Sequence, residues 1–202
     1  MKLNRLVIFA KAPRAGLAKS RLIPAMGADG AARLAQRMLE HALAQSLEAN
    51  IGSVELCCTP AQDPLWQQIA ISQTVLCTDQ GEGDLGERMA RAAERIITGG
   101  EAIILIGTDC PQLDASSLQQ LAEALVDHDA VMIPTVDGGY VALGLNRFDP
   151  VLFSNIDWGT DTVAHKTLGH LQDLGWSIKL LPMMRDIDEP DDLAWLPAEM
   201  KP

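Results

Sequence analysis

Short apolar runs rich in β-branched residues recur at Leu6–Ala10, Val54–Thr59, Thr74–Thr78, Ala102–Thr108, Ala130–Thr135, Tyr140–Leu145 and Ile178–Pro182. Stretches with helical spacing lie between several of them, at Ala31–Glu48, Leu85–Ile97, Ser116–Val126 and Thr162–Leu174. A run that is apolar without alternation reads as a strand covered on both faces, and strands alternating with helices predict a mainly parallel sheet between two helical layers. Only Val136-Asp137-Gly138-Gly139 separates the fifth run from the sixth. That is too short for a crossover helix, so one antiparallel strand is expected in the sheet. No linker or repeat divides the 202 residues, and residues 1–202 are expected to form a single domain.

Charge narrows the partners. Sixteen Lys and Arg against 27 Asp and Glu leave a net charge of −11, which repels nucleic acid and anionic membranes. No stretch has the length of a spanning helix or the pattern of a signal peptide, so no membrane insertion and a cytoplasmic location are expected. The cysteines Cys57, Cys58, Cys77 and Cys110 lack CxxC spacing, and buried free thiols are expected. The acidic balance is broken at the start, where residues 1–28 carry Lys2, Arg5, Lys11, Arg14, Lys19 and Arg21 and no acid. A local cationic loop in an anionic protein points to a phosphate-bearing ligand.

Ligands of open α/β sheets collect at the carboxyl ends of strands, which selects the loops after Ala10, Ile106 and Leu181. In the first loop Gly16 frees the backbone to approach phosphate oxygens, while Lys11, Lys19 and Arg21 supply charge and donors. Its spacing is not that of a P-loop. In Ile106-Gly-Thr-Asp-Cys-Pro-Gln-Leu113 a strand ends on Asp109, a carboxylate placed to hold Mg²⁺ or Mn²⁺ against phosphates. Capping of the next helix falls to Asp114 or Ser116 instead. In Met184–Leu193, five acids fall within seven residues, at the start of an expected helix whose first turn contains Pro190. Asp186 or Asp188 is a candidate second ligand to the metal.

Gly81-Glu-Gly-Asp-Leu-Gly86 matches the dinucleotide pattern GxGxxG, but Asp79, Glu82, Asp84 and Glu87 surround it, and a pyrophosphate would be repelled. Gln80, Gly83 and Gly86 are therefore expected against an uncharged nucleoside. Gly138, Gly139 and Tyr140 form a tight turn whose Asp137 could position or deprotonate an acceptor. Trp158 and Asp161 are placed on the same acceptor side, with Asp161 or Thr160 also able to cap the following helix. The four histidines, His41, His128, His165 and His170, have no metal spacing.

Taken together, FAKAPRAGLAKSRL, QGEGDLGERM, GTDCPQL, DGGYVALGL, WGTDTV and DIDEPDDL resemble the DUF2064 proteins, also called radical-SAM/selenodomain-associated transferase 1. These fall within the GT-A nucleotide-diphospho-sugar transferases, relatives of molybdenum-cofactor and phospholactate guanylyltransferases. The resemblance implies a three-layer α/β/α, Rossmann-like GT-A sheet and a metal-dependent transferase that takes a nucleotide-activated donor, with an unknown acceptor. It implies Asp109 and Asp188 as metal ligands, with Lys11, Lys19 and Arg21 facing the phosphates and Gln80–Gly86 against the nucleoside. The first loop has fewer glycines than the guanylyltransferase pattern, which leaves sugar and nucleotidyl transfer both open. A non-catalytic nucleotide-binding module working with a partner enzyme would fit the same residues.

Overall fold

The computed structural model describes residues 2–200. Seven strands form one sheet: β1 (Asn4–Lys11), β2 (Gly52–Thr59), β3 (Leu76–Asp79), β4 (Ala102–Ile106), β5 (Ala130–Pro134), β6 (Tyr140–Leu145) and β7 (Ile178–Leu180). Their order is β3-β2-β1-β4-β6-β5-β7, and β6 alone runs antiparallel to its neighbours β4 and β5. This is the mixed, mainly parallel sheet anticipated from the spacing of the apolar runs.

The helices are α1 (Ile23–Ala49), α2 (Leu85–Thr98), α3 (Ala115–Ala124) and α4 (Val163–Asp173). Two apolar layers separate them from the sheet. Leu39 and Leu43 of α1 and Leu118 and Leu121 of α3 pack with Leu6, Ile8, Leu56, Ile104 and Ile133. On the other face Met89, Ala93 and Ile96 of α2 and Leu171 of α4 pack with Val7, Ile103, Leu105, Met132 and Leu143. Every residue of β4 is buried, as a central strand between two helical layers must be.

A third cluster positions the site. Leu22, Leu34 and Met38 enclose Ile187, Leu196 and Met200, which ties the end of the chain to the first loop. Among the described residues no helix is long and apolar enough to cross a membrane.

Several boundaries differ from the sequence expectation. The third strand starts at Leu76 because a turn closed by the Val75 amide on the Ser72 carbonyl occupies its predicted start. The first helix starts earlier, at Ile23, and carries a break at Gly27 (φ 73°, ψ 164°). The predicted last helix is a 3₁₀ segment, Pro190–Trp195. Cys77 lies exposed on the edge strand β3, although all four cysteines are free.

Candidate active site at the carboxyl edge of the sheet

The loop after β1 folds back on itself through the Leu17 and Ala18 amides, both bonded to the Arg14 carbonyl. Arg14 pairs with Asp63, whose carboxylate also accepts from the Leu65 amide at 3.0 Å. The hydrogen bond from Arg14 and the Leu65 amide together hold the Asp63 carboxyl below the usual carboxylate range. Sequence reading missed this anchor, since Asp63 lies in no motif. Lys11 is exposed at the end of β1, and Gly16 (φ 82°) has nothing within 4 Å of a Cβ built on it.

Lys19 departs from expectation. Its side chain is only 8% exposed, and its ammonium bonds Asp109 together with Asp188 Oδ1 (2.7 Å) and the Ile187 carbonyl (2.7 Å). Burial alone would lower the Lys19 pKa, but the two carboxylates outweigh it and raise it. In this structure Lys19 is thus committed to the acidic pair. Arg21 is exposed and pairs with Glu189 at 3.2 Å.

Asp109 and Asp188, 79 positions apart in the sequence, therefore converge on one ammonium. Asp109 follows the buried strand β4, and its carbonyl accepts the Ile187 amide at 2.8 Å. Ile187 is buried, and Asp192 Oδ2 takes the amides of Asp188 and Glu189 at 3.1 and 2.8 Å. Asp188 is thereby fixed from both sides. Asp114 caps α3 through Ser117, as expected, which leaves Asp109 free of capping duty.

Beside the pair lies a cavity of about 100 Å³ lined in part by Asp109, Asp137, Gly139, Tyr140 and Asp186. Burial, and then repulsion from Asp137, Asp188 and Asp109, pushes the Asp186 carboxyl up to about 6. Asp137 is oriented by the Thr135 hydroxyl and the Gly139 amide (3.1 Å). The Tyr140 hydroxyl is buried beside Thr167, and desolvation raises its pKa. Gly138 touches the Asp161 backbone, which brings the loops of Asp137 and Asp161 together. Neither Asp161 nor Thr160 caps α4. The cap position is Thr162, without a side-chain bond, and Thr160 is bonded to the Asp157 carbonyl.

The Gly81–Gly86 loop is occupied with its own structure. Asp84 and Glu87 form a capping box, the Asp79 carboxylate takes the Gly81 amide, and Arg88 and Arg91 bind the carbonyls of Gly83 and Glu82. The Gly81, Asp84 and Glu87 amides are thereby taken, and the surrounding acids repel a pyrophosphate. Gln80 is 4% exposed and donates to the carbonyls of Ala10 (3.1 Å) and Cys57 (2.9 Å), so its amide braces β1 and β2 and does not face a nucleoside. Gly83 (φ 101°) packs on Glu87. A Cβ at Gly86 would stand 2.5 Å from Nε1 of Trp158, so the Gly81–Gly86 loop and the Trp158 loop meet there.

Among the described residues no three Asp, Glu, His or Cys side chains form a metal cage. Two carboxylates aimed at one point that already holds a cationic group do fit a cation whose remaining ligands are substrate oxygens and water. That is how Mg²⁺ and Mn²⁺ are commonly held in phosphate-handling sites.

Residues 42–160 match the family described as "Uncharacterized protein conserved in bacteria (DUF2064)". In three dimensions the chain is similar to a proposed nucleotide-diphospho-sugar transferase from Desulfovibrio desulfuricans G20. The TM-score is 0.86 with 28% identity, over 94% of this chain and 84% of that one. It shares its fold with 4-diphosphocytidyl-2C-methyl-D-erythritol synthase from Anaerococcus prevotii DSM 20548 (TM-score 0.64, 13% identity, 96% and 94% covered). It also shares it with a Mycobacterium tuberculosis H37Rv protein crystallised with manganese (TM-score 0.54, 15% identity, 93% and 92% covered). No curated protein matches the sequence.

Proposed function

The chain belongs to the DUF2064 family, and from that premise we propose that it is a metal-dependent transferase acting on a nucleotide-activated donor, either a nucleotide sugar or a nucleoside triphosphate. The observation that carries this reading is the convergence of Asp109 and Asp188 at the carboxyl edge of a mainly parallel sheet, where open α/β folds bind ligands. The transferases that share the fold support it.

Asp109 and Asp188 are the residues that would hold Mg²⁺ or Mn²⁺. Asp188 is taken as the second ligand over Asp186, because it is Asp188 that shares an ammonium with Asp109. When bound, the cation would neutralise charge on the leaving phosphate or pyrophosphate. Exposed Lys11 and Arg21 would meet the donor's phosphates from the opposite side, and the open surface at Gly16 lets the backbone approach them. The Gly83 and Gly86 segment would lie along the nucleoside. Asp137, already oriented by Thr135 and Gly139, is the candidate to accept the acceptor's proton, with Asp161 across from it. Fixing donor and acceptor on rigid strand ends supplies most of the rate.

The test is calorimetric titration of a panel of nucleoside triphosphates and nucleotide sugars with and without Mg²⁺. A nucleotide that binds the wild type only with metal should not bind Asp109→Asn while the circular dichroism spectrum is preserved. Binding of equal strength in both proteins, indifferent to Mg²⁺, refutes the reading.

A further inference from the structure

An ammonium has three hydrogens, and in Lys19 each has an acceptor: Asp109, Asp188 and the Ile187 carbonyl. None is left for a phosphate. Nor can a divalent cation sit between the two carboxylates while the ammonium is there, because metal–oxygen distances of about 2.1 Å would put the two like charges almost in contact. The lysine and the metal therefore claim one position. The residue is also held in the left-handed region (φ 47°, ψ 47°), where its carbonyl accepts the Leu22 amide at 2.9 Å, so the side chain starts from a fixed point.

Resting on the reading above, we propose that Lys19 is an internal counter-cation which holds Asp109 and Asp188 together in the metal-free protein and must leave before the metal can enter. The consequence is an order of events. A metal arriving alone has to displace a buried ammonium from two carboxylates and strand it, so it binds weakly. A phosphate-bearing donor gives the displaced ammonium a new partner, so donor and metal strengthen one another's binding, as linkage requires. Lys19 then reaches the phosphates only after the exchange. Premature occupation by metal without substrate is disfavoured by the same contact.

The contact is tested with Mn²⁺ alone, its free concentration read by electron paramagnetic resonance. Lys19→Met, which keeps the unbranched apolar stem and removes the charge, should bind Mn²⁺ at least tenfold more tightly than the wild type. Adding Asp109→Asn to Lys19→Met should abolish that gain. If Lys19→Met binds no more tightly than the wild type while Asp109→Asn weakens binding, the counter-cation role is wrong and the metal site stands. If Asp109→Asn changes nothing in either background, the metal reading itself fails. A second measurement uses the unmodified sequence. Acylation of Lys19 by an amine-reactive ester, followed by mass spectrometry, should be slow in chelator and rise several-fold in saturating Mn²⁺, and equal labelling overturns the proposal.

Discussion

The α-carbon of Gly138 lies against the carbonyl of Asp161, so closely that a Cβ built on it would stand 2.0 Å from that oxygen. The Gly138 carbonyl in turn accepts the Ala164 amide at 2.9 Å, which seats the first turn of α4 on the turn between β5 and β6. Gly138 also has φ 92°, a conformation that side chains with a Cβ resist. The two loops that bear Asp137 and Asp161 are thus locked by one glycine.

Gly138→Ala should therefore cost about 2–4 kcal/mol, from left-handed strain plus a backbone collision that no side-chain rotation relieves. Urea unfolding measures it. Gly16→Ala is the control, because Gly16 shares a positive φ but has open space where the Cβ would go, and it should lose only about 1–2 kcal/mol. Equal losses in the two variants would mean that the contact with Asp161 contributes nothing.

Glu55 gives a second expectation. It is fully buried in β2, where it meets Arg95, Arg5 at 3.5 Å and the Thr78 hydroxyl at 2.7 Å. Glu55→Ala strands Arg95, while Arg5 keeps its bidentate pair with Glu101 at 2.8 and 2.9 Å. Breaking a fully buried pair costs about 3–5 kcal/mol, and because Arg5 and Arg95 still reach solvent the expected loss is about 2–3 kcal/mol. Glu55→Gln keeps the acceptor for Thr78 and should lose less. A midpoint of denaturation unchanged by Glu55→Ala would remove this network from any account of stability.

Asp186 makes stability depend on pH. Its carboxyl binds a proton more tightly in the folded protein, near 6, than at its ordinary value of 3.8. The stabilisation from that tighter binding is complete below about pH 4 and is lost as the pH rises through about 6. Asp186→Asn carries no such charge, so in chelator it should match the wild type at pH 4 and exceed it by about 1–2 kcal/mol at pH 7. Denaturation curves collected from pH 4 to 8 decide this, and a constant gap between the two proteins across that range contradicts it.

Much of the architecture was readable in one dimension. β4 and the Leu6–Ala10 centre of β1 lie between two helical layers, so every residue in them is apolar, and that lack of alternation is visible in a string of letters. The four residues between Thr135 and Tyr140 leave the chain no route but reversal. The loops that follow strands were equally readable, as were Asp109 and the acids of Asp186–Asp192, because composition changes abruptly where a buried strand meets solvent. Side-chain partners were not readable. Nothing local distinguishes Lys19, bound to two carboxylates, from Lys11, exposed at the end of β1; the difference arises because Ile187, buried against Leu22 and Met38, carries Asp188 up to the first loop. Gln80 belongs to the same class: its amide is consumed by two strand carbonyls supplied from 70 and 23 positions away. The one available hint of the Glu55 network was a lone carboxylate in an apolar strand, which demands a partner without saying which. Periodicity and length are local properties and survive in the linear chain, whereas which charge meets which depends on contacts that exist only once distant segments share a core.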